Sequence, residues 1–410
     1  MSYINEKLSI GNIELKNRVV IQPMEGCDGA SDGSLSELTI RRYHRFAKSG
    51  AGLIWFEAVA VSQDGRANPR QLFLNENNKE DFRKILREIR EISIKECGIN
   101  PIIIMQMTHS GRQSRPISEP CQVYASNNKY LNEMKPLRDN AIYADEKYCD
   151  ELIEKFAKSS MLAKEVGFDG VDVKCCHGYL FNEFMSAYDR DDKYGGESIE
   201  NRARLYIETY KRVREVTGAD YLVTSRFGIY DGFNYPYGFG VNSDNQIALA
   251  EAKWVISKLI ENGLNMINIT IGNPYINPHV NRPYKVNSVE DGNIGVQRVV
   301  TLTTDIQNTF DNLAVVMSAL TYNGVNSMDI AEKLLKESRC KLVGFGRMAF
   351  AYPEFYRDYL KNGKLDSKKV CLTCSKCSQM MRMGGVAGCP IRDSELYLPI
   401  YQNLLSKNIN

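Results

Sequence analysis

Eight short, nearly unbroken apolar runs punctuate the chain, and each is followed by a stretch whose apolar positions recur at helical spacing. The runs are Arg18–Gln22, Leu53–Glu57, Ile102–Met107, Gly170–Lys174, Leu222–Arg226, Met266–Ile271, Ala314–Ser318 and Leu342–Gly344. Runs this short, rich in Val, Ile and Leu, predict strands buried on both faces of a parallel sheet. The helical stretches are Ser36–Ser49, Lys79–Ser93, Cys149–Val166, Ser198–Thr217, Asp244–Asn262, Val296–Phe310, Ser327–Glu337 and Glu354–Lys361. Ser243 or Asp244 is the expected N-cap of the fifth. Eight alternations predict an α/β fold, a (β/α)8 TIM barrel, over an open doubly wound sheet. Such a barrel keeps its chemistry at the C-terminal ends of the strands. Polar residues gather there: Glu25 after the first strand, Gln106 on the third, Lys174 and His177 after the fourth, Arg226 on the fifth.

Two connections are longer than ordinary barrel loops. One runs from about His109 to Lys147. The other runs from about Asn273 to Gly295 and carries Tyr275, His279, Arg282 and Tyr284. Long loops on this face are expected to shape a pocket. The expected division is a barrel over 1–365 and a C-terminal extension over 366–410.

Composition narrows the class. A net charge of +2 over 410 residues gives no electrostatic pull toward nucleic acid. No run of about 18 apolar residues predicts a membrane span, and the N-terminus lacks a signal-like apolar core. Eleven cysteines without an export signal suit a reducing, cytoplasmic setting. Abundant Lys, Asn and Ile are compatible with an anaerobic host.

The cysteines change the picture most. Cys371, Cys374 and Cys377 are spaced by two residues each, and Cys389, followed by Pro390, comes after a gap of eleven residues. This spacing points to a four-thiolate iron–sulfur site, a [4Fe–4S] cluster. Zinc, which more often takes two separated C-x-x-C pairs, is the lesser alternative.

A resemblance to the Old Yellow Enzyme family of FMN-dependent oxidoreductases rests on several motifs in order. Gly167-Phe-Asp-Gly-Val-Asp-Val-Lys174 leads into His177-Gly178-Tyr179-Leu180, and Tyr194-Gly195-Gly196 precedes Glu200-Asn201-Arg202. Leu15-Lys-Asn-Arg18, Gln22-Pro23-Met24, Gln106-x-x-His109-x-Gly111-Arg112 and Phe345-Gly346-Arg347 complete the pattern over roughly residues 5–360. The cysteine segment resembles the family's iron–sulfur branch, that of dienoyl-CoA reductases, enoate reductases and trimethylamine dehydrogenase. Relatives there usually carry further nucleotide-binding domains. This sequence shows no G-x-G-x-x-G fingerprint after a strand, and those domains are expected to be missing.

The resemblance implies FMN at the barrel mouth. Pro23, Met24 and Glu25 would lie near the ring. Gln106 and Arg226 would meet its pyrimidine edge, where reduced flavin is negative. Ser318 and Ala319, where the family often has Gly-Gly, would cradle the phosphate with Gly346 and Arg347. Tyr179 matches the family's proton donor. His177 keeps the second position of the pair that holds the substrate oxygen, whereas Lys174 replaces the usual first His. Lys174 could contact substrate or pair with Glu25. Cys175 and Cys176 are expected to pack in the core.

The implied activity is reduction of an activated C=C bond in an unsaturated small molecule, with hydride from flavin N5 and a proton from Tyr179. Electrons would come from NAD(P)H directly or from a separate electron-transfer protein. An oxidative amine or alcohol dehydrogenase of trimethylamine dehydrogenase type, or a relay subunit of a larger complex, are the alternatives. Neither nucleic acid nor membrane is an expected partner, and a homo-oligomer stays open.

Overall fold

The structure is a computed structural model, and it describes residues 2–407. The eight expected runs all form strands. They are β1 (Val19–Ile21), β2 (Leu53–Ala60), β3 (Ile102–Thr108), β4 (Gly170–Val173), β5 (Leu222–Gly228), β6 (Met266–Thr270), β7 (Ala314–Met317) and β8 (Leu342–Phe345). They pair in chain order, all parallel, and close when β8 meets β1 with Val343 opposite Val19. β2 runs three residues past its expected end, because the ladder continues through an irregularity between Phe56 and Ala58. Glu57 sits at that irregularity and faces Arg42 and Tyr43 of the first helix instead of a neighbouring strand.

The main helices are α1 (Glu37–Ala47), α2 (Lys79–Cys97), α3 (Glu146–Val166), α4 (Arg204–Thr217), α5 (Ala250–Glu261), α6 (Gly292–Thr309), α7 (Ser327–Lys336) and α8 (Phe355–Asn362). Each buries one stripe against the barrel; on α1 that stripe is Thr39, Arg42, Tyr43 and Phe46. Local chemistry sets several ends. Ser36 accepts from the Thr39 N–H and Asp145 from the Tyr148 N–H, while Gly167 stops α3 at φ 101°. One expected cap is wrong. Asn242 accepts from the N–H groups of Asp244 and Gln246, and Asn245 turns at φ 61°. That turn uses the residues expected to open the helix, so α5 starts only at Ala250.

Alternate residues along each strand divide the barrel interior into two layers. The lower layer is apolar: Val20, Leu53, Trp55, Ile104, Leu222, Met266, Val316 and Leu342, plugged from below by Ile10 and Leu15 of an N-terminal hairpin. Two residues further along, the same faces carry Gln22, Gln106 and Asn268. Asp172 of β4 joins this upper layer. It accepts from Trp55 Nε1 at 2.8 Å, Gln106 Nε2 at 2.6 Å and the Arg226 N–H at 2.7 Å. Burial lifts its pKa to about 6 despite these donors. Gln22 and Asn268 exchange two hydrogen bonds beside it. This polar floor fixes the strand ends on which the site stands.

Two further helices, α9 (Lys376–Arg382) and α10 (Ser394–Lys407), follow the barrel. Asp393 ties this segment to α1 through ion pairs with Arg41 and Arg45. Ala387 donates to the carbonyl of Gly26, Arg70 to that of Gly384, and Arg382 to that of Pro274. The extension is thus stitched to the loops after β1, β2 and β6. Among the described residues no helix is long and apolar enough to cross a membrane.

Candidate active site

A cavity of about 330 Å³ opens above the polar floor. The barrel residues expected to hold flavin or substrate line it: Pro23, Met24 and Glu25 after β1, Gln106 on β3, Lys174, His177 and Tyr179 after β4, Arg226 on β5, Ser318 and Ala319 after β7, Gly346 and Arg347 after β8; of the β6 loop, Tyr275 and Arg282 line it, whereas His279 and Tyr284 do not. Cys175 and Cys176 are fully buried away from it, as core residues.

The β4 turn gives the site its sharpest geometry. His177 and Gly178 both take left-handed backbone, φ 68° and 69°. At Gly178 a side chain would strike Asn273 Nδ2 at 2.3 Å, which makes glycine necessary there. His177 has no such freedom, so its conformation is strained and held by its surroundings. Asn281 donates to the Ile271 carbonyl at 3.0 Å and approaches His177 Nε2 at 3.2 Å. Thr270 Oγ1 lies 3.4 Å from the same ring nitrogen and 3.2 Å from the Asn281 amide, so His177 is held at Nε2 from two sides. Burial, with Arg226 and Lys174 nearby, holds this imidazole neutral, its pKa well below the usual value. Tyr179 is buried and its hydroxyl lies 3.0 Å from that of Tyr275. Burial first, then Tyr275 and Glu25, push its pKa well up, so it stays a phenol.

Lys174 is 5% exposed and its ammonium stands 3.8 Å from the centroid of the Tyr179 ring. Burial lowers its pKa. The suggested Lys174–Glu25 ion pair is not made within 4.0 Å. Glu25 instead accepts from Asn68 Nδ2 at 2.8 Å and lies 3.7 Å from Cys27 Sγ. Its charge still meets that of Lys174 across the cavity, while burial raises its pKa.

Five cations line the cavity, Lys174, Arg226, Arg282, Arg347 and Arg382, against one carboxylate, Glu25. None of the five makes an ion pair within 4.0 Å among the described residues. Arg226 Nε, Arg282 Nε and Arg347 Nη1 are buried without hydrogen-bond partners. Buried cationic donors left open in this way call for an anion. A flavin mononucleotide fits: its ring would meet Gln106 and Arg226, its phosphate Arg347 and the loop at Ala319. That alanine adopts φ 72°, the left-handed turn for which glycine is the usual residue.

The four cysteines of the extension lie beside this cavity. The loop from Cys371 to Cys377 curls through two left-handed residues, Thr373 at φ 51° and Ser375 at φ 59°. For β-branched Thr373 this is a strained conformation. The Thr373 N–H approaches Cys371 Sγ at 3.3 Å, and the Arg392 N–H approaches Cys389 Sγ at 3.4 Å. Cys377 and Cys389 act electrostatically on Cys371, which burial raises to about 12, and Cys374 and Cys377 act on Cys389. Among the described residues no three such side chains close to the spacing of a single metal ion's ligands.

Sequence reasoning missed several lining residues. Cys27 and Asn68 sit on the loops after β1 and β2, and Asn281 on the β6 loop; Ser378, Met381 and Arg382 come from α9. Cys27 and Asn68 lie in irregular segments, and Asn281 ends a helical turn of four residues, too short to show periodicity. The α9 residues follow the cysteine motif directly, which was the only available signal.

A closed (β/α)8 barrel with a flavin-shaped set of polar groups at its mouth defines a flavin-dependent oxidoreductase. The chain belongs to the NADH:flavin oxidoreductase / NADH oxidase family, whose sequence model matches residues 5–365. This is the Old Yellow Enzyme type of FMN-dependent protein. An NADH oxidase of Thermoanaerobacter brockii is 30% identical over 374 residues, covering 89% of this chain and 52% of its own. An NADPH dehydrogenase of Clostridium acetobutylicum is 26% identical over 380 residues, covering 89% and 97%. The chain therefore spans about half the length of the Thermoanaerobacter relative. Among solved structures, a 2-naphthoyl-CoA reductase complex with 2-naphthoyl-CoA has a TM-score of 0.75 at 19% identity, covering 95% of this chain and 56% of that one. Morphinone reductase has 0.68 at 19%, covering 90% and 91%. At these identities the structural likeness speaks for the fold alone.

Proposed function

We propose that the chain is an ene-reductase that reduces an activated C=C bond of an unsaturated carbonyl or carboxyl compound. The observation that carries this is the convergence of Tyr179, His177 and Lys174 on one cavity above Gln106 and Arg226. Bound there, FMN supplies the hydride from its N5. Lys174 and His177 bind the substrate oxygen and stabilise the negative charge that grows on it. Tyr179, held as a phenol, delivers its proton to the α-carbon. Tyr275 fixes the direction of that hydroxyl. Arg226 and Gln106 orient the ring edge, and Arg347 with Ser318, Ala319 and Gly346 holds the phosphate. Pro23, Met24 and Glu25 form the wall beside the ring.

The barrel, residues 1–365, carries the residues named above, Ser378, Met381 and Arg382 of the extension add to the cavity wall, and the extension, residues 366–410, holds one [4Fe–4S] cluster through Cys371, Cys374, Cys377 and Cys389. The spacing of Cys371, Cys374 and Cys377, with Cys389 and Pro390 after them, supports the cluster. The NADH- and NADPH-using names of the relatives support NAD(P)H as the reductant; a separate electron-transfer protein is the other source of electrons. Anaerobic protein should show flavin absorbance, and about four iron and four sulfide per chain. Its flavin, once reduced, should be reoxidised by an activated alkene. Reoxidation by no alkene, together with reduction by an amine, would replace this reading with an oxidative dehydrogenase.

A further inference from the structure

Arg282 and Arg382 are the cavity cations with no part in the roles above; Arg382 donates to the Pro274 carbonyl, and Arg282 stands apart from it. Arg282 follows the short helical turn Pro278–Asn281 on the β6 loop, and its Nε is buried without a hydrogen-bond partner. Glu290, further along the same loop, is engaged by both terminal nitrogens of Arg298, at 2.9 and 2.7 Å. The residues beside Arg282 are clamped from two sides. Pro283 gives its carbonyl to Arg347 at 2.7 Å, on the phosphate side of the cavity. Lys285 donates its N–H to the Thr373 carbonyl at 3.3 Å, inside the cysteine loop. The Arg282 guanidinium lines the cavity together with Ser378, the residue after Cys377. Arg347 and Arg382 act on it as like charges, and Cys377 as an opposite one. A half-buried cation with no ion pair within 4.0 Å among the described residues therefore lines the flavin cavity on the side of Cys377.

Such a cation is costly unless an anion faces it. Both groups read into this region are anionic. A cubane held by four thiolates is negative and gains one more negative charge on reduction; the FMN phosphate is negative throughout.

We propose that Arg282 sets the division of electrons between the cluster and the flavin by stabilising the reduced cluster with its charge. This rests on the FMN and cluster reading above. Each transfer moves one electron, oxidising one centre and reducing the other, with no bond made between them. Neutralising residue 282 should shift that equilibrium about tenfold away from the reduced cluster, about 59 mV for a one-electron couple.

Anaerobic redox titration of the holoprotein, followed through the EPR signal of the reduced cluster, reads this directly. Arg282→Gln should lower the cluster midpoint by that amount, and Arg282→Lys, which keeps the charge, should stay with the parent. Iron and FMN content are measured on each protein. An unshifted midpoint in fully loaded Arg282→Gln overturns the idea, as does a Lys variant that shifts as far as the Gln variant. Loss of iron in both variants also overturns it, because Arg282 is then a structural support. Loss of FMN with the cluster midpoint unchanged makes it a phosphate ligand instead. Parent protein that binds flavin but no iron removes the cluster reading itself, and that result needs no variant.

Discussion

Replacing Tyr179 by Phe removes one oxygen and leaves the rest of the site in place. The ring stays buried, and Lys174 keeps an aromatic face 3.8 Å from its ammonium. Only the 3.0 Å hydrogen bond to Tyr275 disappears, and its net worth is about 1 kcal/mol. The fold and the flavin contacts should survive. If Tyr179 supplies the α-carbon proton, its loss should slow alkene reduction by about 10²- to 10⁴-fold, the usual range for a general acid. At about 1.4 kcal/mol per factor of ten, that is about 3 to 5 kcal/mol of barrier, well beyond the hydrogen bond itself. Anaerobic stopped-flow separates the half-reactions. Reduction of the bound flavin by NADPH should keep its parent rate, while reoxidation by the alkene slows. Parent-rate reoxidation would refute the assignment and leave Tyr275 or water as the donor.

Four further outcomes follow from the geometry. Arg226→Gln should weaken FMN retention, read by the flavin-to-protein ratio after gel filtration, because the half-buried cation proposed to face the ring edge is neutralised. Cys371→Ser or Cys389→Ser should abolish iron binding while leaving flavin absorbance, since each withdraws one corner of the proposed cage. The Asp172 pKa rises from 3.8 to about 6 on folding, so the native state binds the extra proton. Its contribution to stability should therefore fall as pH rises through that window, by on the order of 3 kcal/mol, and level off above it; urea melts of parent and Asp172→Asn across this range measure the slope. Asp393→Ala should speed proteolytic cleavage near Gly363, seen by mass spectrometry, because the ion pairs from Arg41 and Arg45 anchor the extension.

The barrel was legible because its strands are buried on both faces and must read as continuous apolar runs. The strand ends were legible too, since Gln106 and Arg226 break those runs at fixed positions. What escaped notice was set by contacts distant in sequence. Glu25 looked like a partner for Lys174, but Asn68, forty-three residues away, reaches it first. The α5 start was misread because an Asn242 turn competes for the same polar residues as a helix cap. The closeness of α9 to the cavity depends on how the extension docks, and no periodic pattern encodes docking.

That docking has a consequence for biogenesis. Ser378, Met381 and Arg382 belong to the wall of the cavity, yet they are made after all eight strands. During synthesis the barrel can close as an open bowl, its floor of Asp172, Gln106 and Trp55 already assembled. The bowl becomes an enclosed chamber only when the segment beyond residue 376 has emerged and settled onto the loops after β1, β2 and β6. The α9 side chains can therefore narrow the cavity only after the last part of the chain has arrived.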